Sequence, residues 1–177
     1  MRIASFVTAA ALLVMGTIAF AQNVSYDFDR ATNFSGIRTY AWVRGTTLDD
    51  ELNHSRIVRA IDAQLTLKGL VKLETPTNAD VVVAYHATFD RDLQINGFSS
   101  GWGGYRFAGS RTGTARAEEI LVGTLVVDVV NAKTNTIVWR GIASKDIDVK
   151  ASPEKRDKNI TKTAEKLFKN YPPKKSS

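Results

Sequence analysis

The chain has 177 residues, a formal net charge of +6 and no cysteine. That length suits one domain with one core, and the missing cysteine excludes disulfides, thiolate zinc sites, c-type haem attachment and acylation of a lipobox. The charge is unevenly placed: residues 145–177 carry ten Lys/Arg against five Asp/Glu, whereas residues 22–144 balance thirteen against thirteen.

Taken in chain order, Met1-Arg2, an apolar run from Ala9 to Phe20 and the triplet Ala19-Phe20-Ala21 have the sequence of a secretion signal ending in an A-x-A cleavage site. A membrane anchor would need about 20 apolar residues without such a site. The expectation is cleavage after Ala21, leaving residues 22–177 as a soluble periplasmic or extracellular domain with no lipid anchor. Val24 to Asp29 alternate with the period of a half-buried strand, and Thr39 to Val43 form a second, aromatic-rich strand after a turn through Asn33–Gly36. Ile57, Ile61 and Leu65 recur every four residues, so a helix is predicted over about 52–68, closed by Gly69 in the left-handed region.

Ala79 to Phe89 reads as a long strand that buries the face of Val81, Val83, Tyr85, Ala87 and Phe89. A glycine-rich insert follows at about 96–114, expected to be mobile because its glycines lose much entropy on ordering. Leu121–Val130 and Thr136–Ala143 are two β-branched strands joined by a hairpin-length loop. Ser152-Pro153 pairs an N-cap hydroxyl with proline at the first helical position, and Ile160, Ala164, Leu167, Phe168 and Tyr171 line one side of a basic helix over about 152–171, stopped by Pro172-Pro173. The order β-β-α-β, insert, β-β-α gives an α+β fold, a mainly antiparallel sheet of about five strands with two helices packed on one face.

Several motifs invite chemistry. Gly97-Phe98-Ser99-Ser100-Gly101 matches the nucleophile elbow G-x-S-x-G, but no helix start follows, and both histidines, His54 and His86, precede Ser99. Gly109 to Gly113 offers amides and Arg111 to a phosphate, without the lysine of a P-loop. The pairs Asp27/Asp29, Asp90/Asp92 and Asp146/Asp148 would point the same way on strands and suit a hard cation, although alternating aspartates are also what a wet sheet face shows. His86 is read as a hydrogen-bonded core residue. Trp139 should fill core against a helix while Arg140 lies on the opposite face. The candidate contacts for a ligand or partner are Trp102, Tyr105, Arg106, Arg140, Lys162 and Lys166. No catalytic, metal or cofactor residue is assigned, and no cofactor is expected.

Tyr26-Asp27-Phe28-Asp29, Phe34-Ser35-Gly36, Thr39-Tyr40-Ala41-Trp42, Lys68-Gly69-Leu70 ahead of Ala79-Asp80-Val81-Val82-Val83, Gly123 to Asp128 and Ile137-Val138-Trp139-Arg140-Gly141, in that order, resemble the bacterial envelope family called domain of unknown function 4136. The resemblance spans nearly the whole expected mature chain. It implies a small α+β domain of the Gram-negative envelope, usually lipid-anchored, with no established catalytic residues. The absence of a lipobox cysteine departs from that pattern.

The functional expectation is therefore an exported, non-catalytic interaction or maintenance module of the envelope. One alternative is a hydrolase using Ser99 or an acidic pair. The other is a binder of anionic lipid or lipopolysaccharide through the basic C-terminal helix. Nucleic acid is not expected as a partner.

Overall fold

The computed structural model describes residues 23–46, 50–95 and 117–174, with side chains at 91–95 and 117–120 left undescribed. The expected signal and the insert, with Ser99, Trp102, Tyr105 and Arg106, lie outside those residues. The described elements are β1 (Asn23–Phe28), β2 (Thr39–Trp42), α1 (Glu51–Leu67), β3 (Val71–Lys72), β4 (Val81–Ile95), β5 (Ala117–Asn131), β6 (Ile137–Asp146) and α2 (Pro153–Leu167). They form one six-stranded sheet in the order β1-β6-β5-β4-β2-β3.

The sheet corrects the expected one: it is mixed and has six strands. β1–β6, β6–β5 and β5–β4 are antiparallel, whereas β4–β2 and β2–β3 are parallel. The physical reason is the connection through α1, which carries the chain back along the sheet so that β3 and β4 re-enter in the direction of β2, as a parallel pair requires. Asp80, just ahead of β4, fixes the parallel pair. Its carboxylate accepts the Arg38 and Thr39 amides at 2.9 Å and the Thr39 hydroxyl at 3.0 Å. These bonds, led by the Arg38 amide, hold the Asp80 carboxyl below its ordinary range.

Both helices begin and end for local reasons. The Asp50 carboxylate accepts the Asn53 amide and the Ser152 hydroxyl accepts the Lys155 amide, each satisfying an N-terminal amide that has no intrahelical partner. Gly69 takes φ +85° after α1, a conformation that costs a side-chain-bearing residue about 1–2 kcal/mol. The apolar stripes of α1 (Ile57, Ile61, Leu65) and α2 (Leu167, followed by Phe168 and Tyr171) join one core with Val81, Val83 and Tyr85 of β4, Val127 and Val129 of β5 and Trp139 of β6. Strand alternation puts these sheet residues on one face, so both helices cover that face, as expected.

One row runs across five strands: Trp42, Val83, Val129, Trp139 and Phe28 are successive register partners. Trp139 is fully buried; it stacks on Phe168 at 5.1 Å and meets Tyr171 edge-on at 5.3 Å. Gly141 is the seat for this cluster, because a Cβ there would lie 2.4 Å from Trp139 Cη2 and 2.8 Å from Leu167 Cδ1. Burial raises the Tyr171 hydroxyl to about 12.

Candidate functional site

Two residues beyond Gly141 on the same face of β6, the sheet behaves in the opposite way. The row Ala87, Leu125, Ala143 carries two small side chains, and the adjoining Gly123 carries none. The sheet surface is therefore low where the N-terminal halves of α1 and α2 pass over it, and a cavity of about 300 Å³ lies between them. Its walls are mostly apolar, with Ile57 from α1, Phe89 and Leu125 from the sheet, and Ile147 and Ile160 from the α2 side. Ile147 leans over Gly123, where an added Cβ would stand 2.7 Å from Ile147 Cδ1.

Two cations border this space, Lys145 and Arg156. Lys145, on the same face of β6 as Ala143, lines the cavity, and its ammonium donates to Asn159 Oδ1 of α2 at 3.0 Å. Burial, then the nearby ammonium groups of Lys166, Lys162 and Lys155, lower its proton affinity below that of an ordinary lysine, with Asp146 opposing. The connection from β6 to α2 at the cavity mouth is braced by Arg156, which donates from Nε to the Ala151 carbonyl at 3.0 Å and from Nη2 to the Val149 carbonyl at 2.9 Å.

A second, more polar hollow of about 550 Å³ lies on the other flank of α1, lined among others by Trp42, Glu51, His54, Lys72 and Tyr85. Four of its side chains, His54, Tyr85, Trp42 and Lys72, are hydrogen-bonded, the last two to the neighbouring Asp62. His54 Nδ1 is 2.5 Å from the Tyr85 hydroxyl. Asp62 accepts the Tyr40 hydroxyl at 2.7 Å, Trp42 Nε1 at 2.8 Å and Lys72 Nζ at 2.9 Å. Burial, reinforced by Asp62, pushes the Tyr40 hydroxyl well up, and burial followed by Glu51 raises Tyr85, so both phenols stay protonated, and Tyr40 donates to Asp62.

On the sheet face opposite the helices, Arg140 grips Asp128 with Nε to Oδ1 at 2.6 Å and Nη2 to Oδ2 at 2.7 Å. Asp128 is only 4% exposed, and this pair pushes the guanidinium further up. His86 Nε2 lies 3.6 Å from Asp128 Oδ2, while its Nδ1 meets the Thr46 hydroxyl at 3.0 Å. His86 thus corrects the core reading: as an even-numbered residue of β4 it faces away from the helices, with its side chain 38% exposed. Arg140 is on the expected face, with half its side chain covered.

The remaining sequence candidates are dispersed. Lys162 and Lys166 are exposed on α2, as are Lys155 and Lys158, and Lys169 is exposed just beyond it. Asp29 falls beyond the end of β1, capped by Ala31 and Thr32, and Asp148 falls beyond β6, bonded to Lys155 and the Lys150 amide, so neither stays in strand register with its partner aspartate. Among the described residues no group of three or more His, Asp or Glu is placed to hold a metal ion. The cavity itself was not foreseen. Lys145 entered the sequence reading only as one of the C-terminal charges, although an odd-numbered lysine following Ala143 on an apolar strand face was the available signal.

The pattern of the family described as Domain of unknown function (DUF4136) matches residues 24–173, which take in every described element except the first residue of β1. The chain belongs to the DUF4136 family. Among solved structures, a DUF4136 family protein from Bacteroides thetaiotaomicron superposes with a TM-score of 0.54 at 14% identity, covering 85% of this chain and 96% of that one. The PelC dodecamer from Paraburkholderia phytofirmans gives 0.51 at 9% identity, covering 84% and 96%. A PDZ domain protein from Parabacteroides distasonis gives 0.57 at 15% identity; the match takes in 88% of this chain but 37% of that longer one. These likenesses describe the fold. No curated protein matches the chain.

Proposed function

We propose that this DUF4136 domain is an exported, non-catalytic module of the bacterial envelope that works by binding. The observation that carries the reading is the cavity between the helix pair and the sheet, a concave, mostly apolar space with a few charged side chains, Lys145 and Arg156 among them, which is the usual make-up of a small-molecule site. The polar groups elsewhere support it. Asp128, Asp62, Asp80, Tyr85 and His54 are each spent on a structural partner, and none is left beside an activated nucleophile. Among the described residues no helix is long and apolar enough to cross a membrane. Export rests on the leader-like Met1–Ala21 stretch.

The test is a turnover screen with esters, phosphates and glycans on the purified chain, alongside Ser99→Ala and His54→Ala. No substrate should be consumed. Turnover that disappears in either variant would replace the binding reading with the hydrolase.

A second reading has its own support. Lys162, Lys166 and Lys155 lie close enough to Lys145 to depress its proton affinity, so the α2 surface is a concentrated positive field. Such a face attracts anionic lipid or lipopolysaccharide phosphates by a force that weakens as salt rises. Co-sedimentation with anionic vesicles at low and high salt tests it, with Lys162→Glu plus Lys166→Glu as the variant that should lose retention.

A further inference from the structure

Resting on the binding reading, we propose that the cavity under the N-terminal half of α2 takes a medium-chain aliphatic monocarboxylate, with the chain against the sheet and the carboxylate on Lys145. Three features of the site specify this ligand. The first is volume: about 300 Å³, at roughly 30 Å³ per water-sized group, admits on the order of ten non-hydrogen atoms. Octanoate has that size.

The second is the character of the walls. Leu125, Ile57, Ile160, Phe89 and Ile147 offer carbon to a ligand and Gly123 leaves the floor low, so an unbranched alkyl chain can lie against them. The third is charge. Among the described residues the Lys145 ammonium has one hydrogen-bond partner, the neutral Asn159 amide, although an ammonium has three protons to give. Of the acids that line the cavity, Asp50 is bonded to Asn53 and Asp148 to Lys155, while Asp146 acts on the ammonium through its charge. With Lys155, Lys162 and Lys166 adding positive potential, an entering carboxylate gains a charge-assisted bond in a half-dry setting. That bond would also oppose the depression of the lysine, because the ligand adds a negative charge to the one that Asp146 already supplies.

The experiment is a calorimetric titration of the purified chain with octanoate and with 1-octanol, followed by NMR of the Lys145 ε-carbon. Octanoate should saturate one site and bind at least tenfold more tightly than octanol, and it should raise the pH at which Lys145 titrates. Lys145→Met keeps the apolar stem and removes the charge, and it should bring octanoate down to the level of octanol; Lys145→Arg should keep most of the difference. Equal affinity for acid and alcohol, no saturation by octanoate, or an unaltered preference in Lys145→Met would each overturn the ligand assignment. These failures are separable from failure of the binding reading itself, which only a turnover dependent on Ser99 or His54 would bring down.

Discussion

The two ends of α2 lie on the same sheet and behave in opposite ways. Under its C-terminal end the sheet presents Trp139, and the gap to the helix is filled by Phe168, Tyr171 and Leu167, all at most 2% exposed. Under its N-terminal half the sheet presents Ala87, Gly123 and Ala143, and the gap is a cavity. Side-chain size along three adjacent strands sets the difference, since the helix axis cannot bend to follow a surface that drops within two residues. The lesson is that the aromatic end holds the helix at a fixed height and so keeps the other end open. Stability should therefore be concentrated at one end of this interface and binding at the other.

The largest test strikes the aromatic end. Trp139→Ala removes the residue on which Phe168 and Tyr171 both pack and should cost about 3–5 kcal/mol; Leu167→Ala should cost about 2–5 kcal/mol by the same cavity argument. Urea denaturation reads both. A loss under 1 kcal/mol for Trp139→Ala would mean that the helix is held elsewhere. Gly141→Ala comes next. Its Cβ would sit 2.4 Å from Trp139 Cη2 and 2.8 Å from Leu167 Cδ1, between two side chains with no room to retreat. Overpacking of this kind costs about 1–3 kcal/mol.

Ile160 lies at the open end and is only half-buried. Because it already borders empty space on one side, Ile160→Ala should cost less than Leu167→Ala, about 1–2 kcal/mol, while changing the cavity volume. An equal or larger loss at Ile160 would abolish the asymmetry between the two ends.

Much of the packed end was legible in the sequence, and little of the open end was. The stripe Ile160, Ala164, Leu167, Phe168, Tyr171 has helical spacing, and Trp139 stands in register with an apolar strand face, so each signal sits within one element. The cavity is lined from α1, β4, β5, β6, α2 and the turn between the last two, and no single stretch carries it. The same limit applies to the sheet. β3 has two residues, both exposed, too few to show a period. The parallel pairing of β2 with β4 depends on Asp80 reaching the Arg38 and Thr39 amides across 42 and 41 positions. The polar run Asp90-Arg91-Asp92 hid the far half of β4, which continues as a strand because β5 pairs with it to Ile95. His86 was misread because an apolar stretch was taken for an apolar setting. Alternation already set it opposite the Val81–Phe89 face, and its own face is the one away from the helices.

The smallest effect expected is also the one that tests the electrostatics of the open end. In the folded protein Lys145 gives up its proton more readily than a free lysine, first because it is partly desolvated and then because Lys166, Lys162 and Lys155 stand near it. For a cation lowered in this way, the unfolded chain binds more protons between the lowered value and the ordinary value near 10.5, so this group makes stability rise with pH across that window. Below the window both states are protonated and the full penalty is present; above 10.5 it is gone. Lys162→Glu with Lys166→Glu removes two of the like charges and installs opposite ones. It should raise the pH at which Lys145 titrates, flatten the rise in stability toward alkaline pH, and leave the fold at neutral pH unchanged or firmer by about a few tenths of a kcal/mol, since exposed charges are strongly screened. The measurement is denaturant melts at pH 7 and pH 11 with NMR of the Lys145 ε-carbon. An unmoved Lys145 titration in the double variant would show that desolvation alone lowers it, and that the lysines of α2 contribute no field to the cavity.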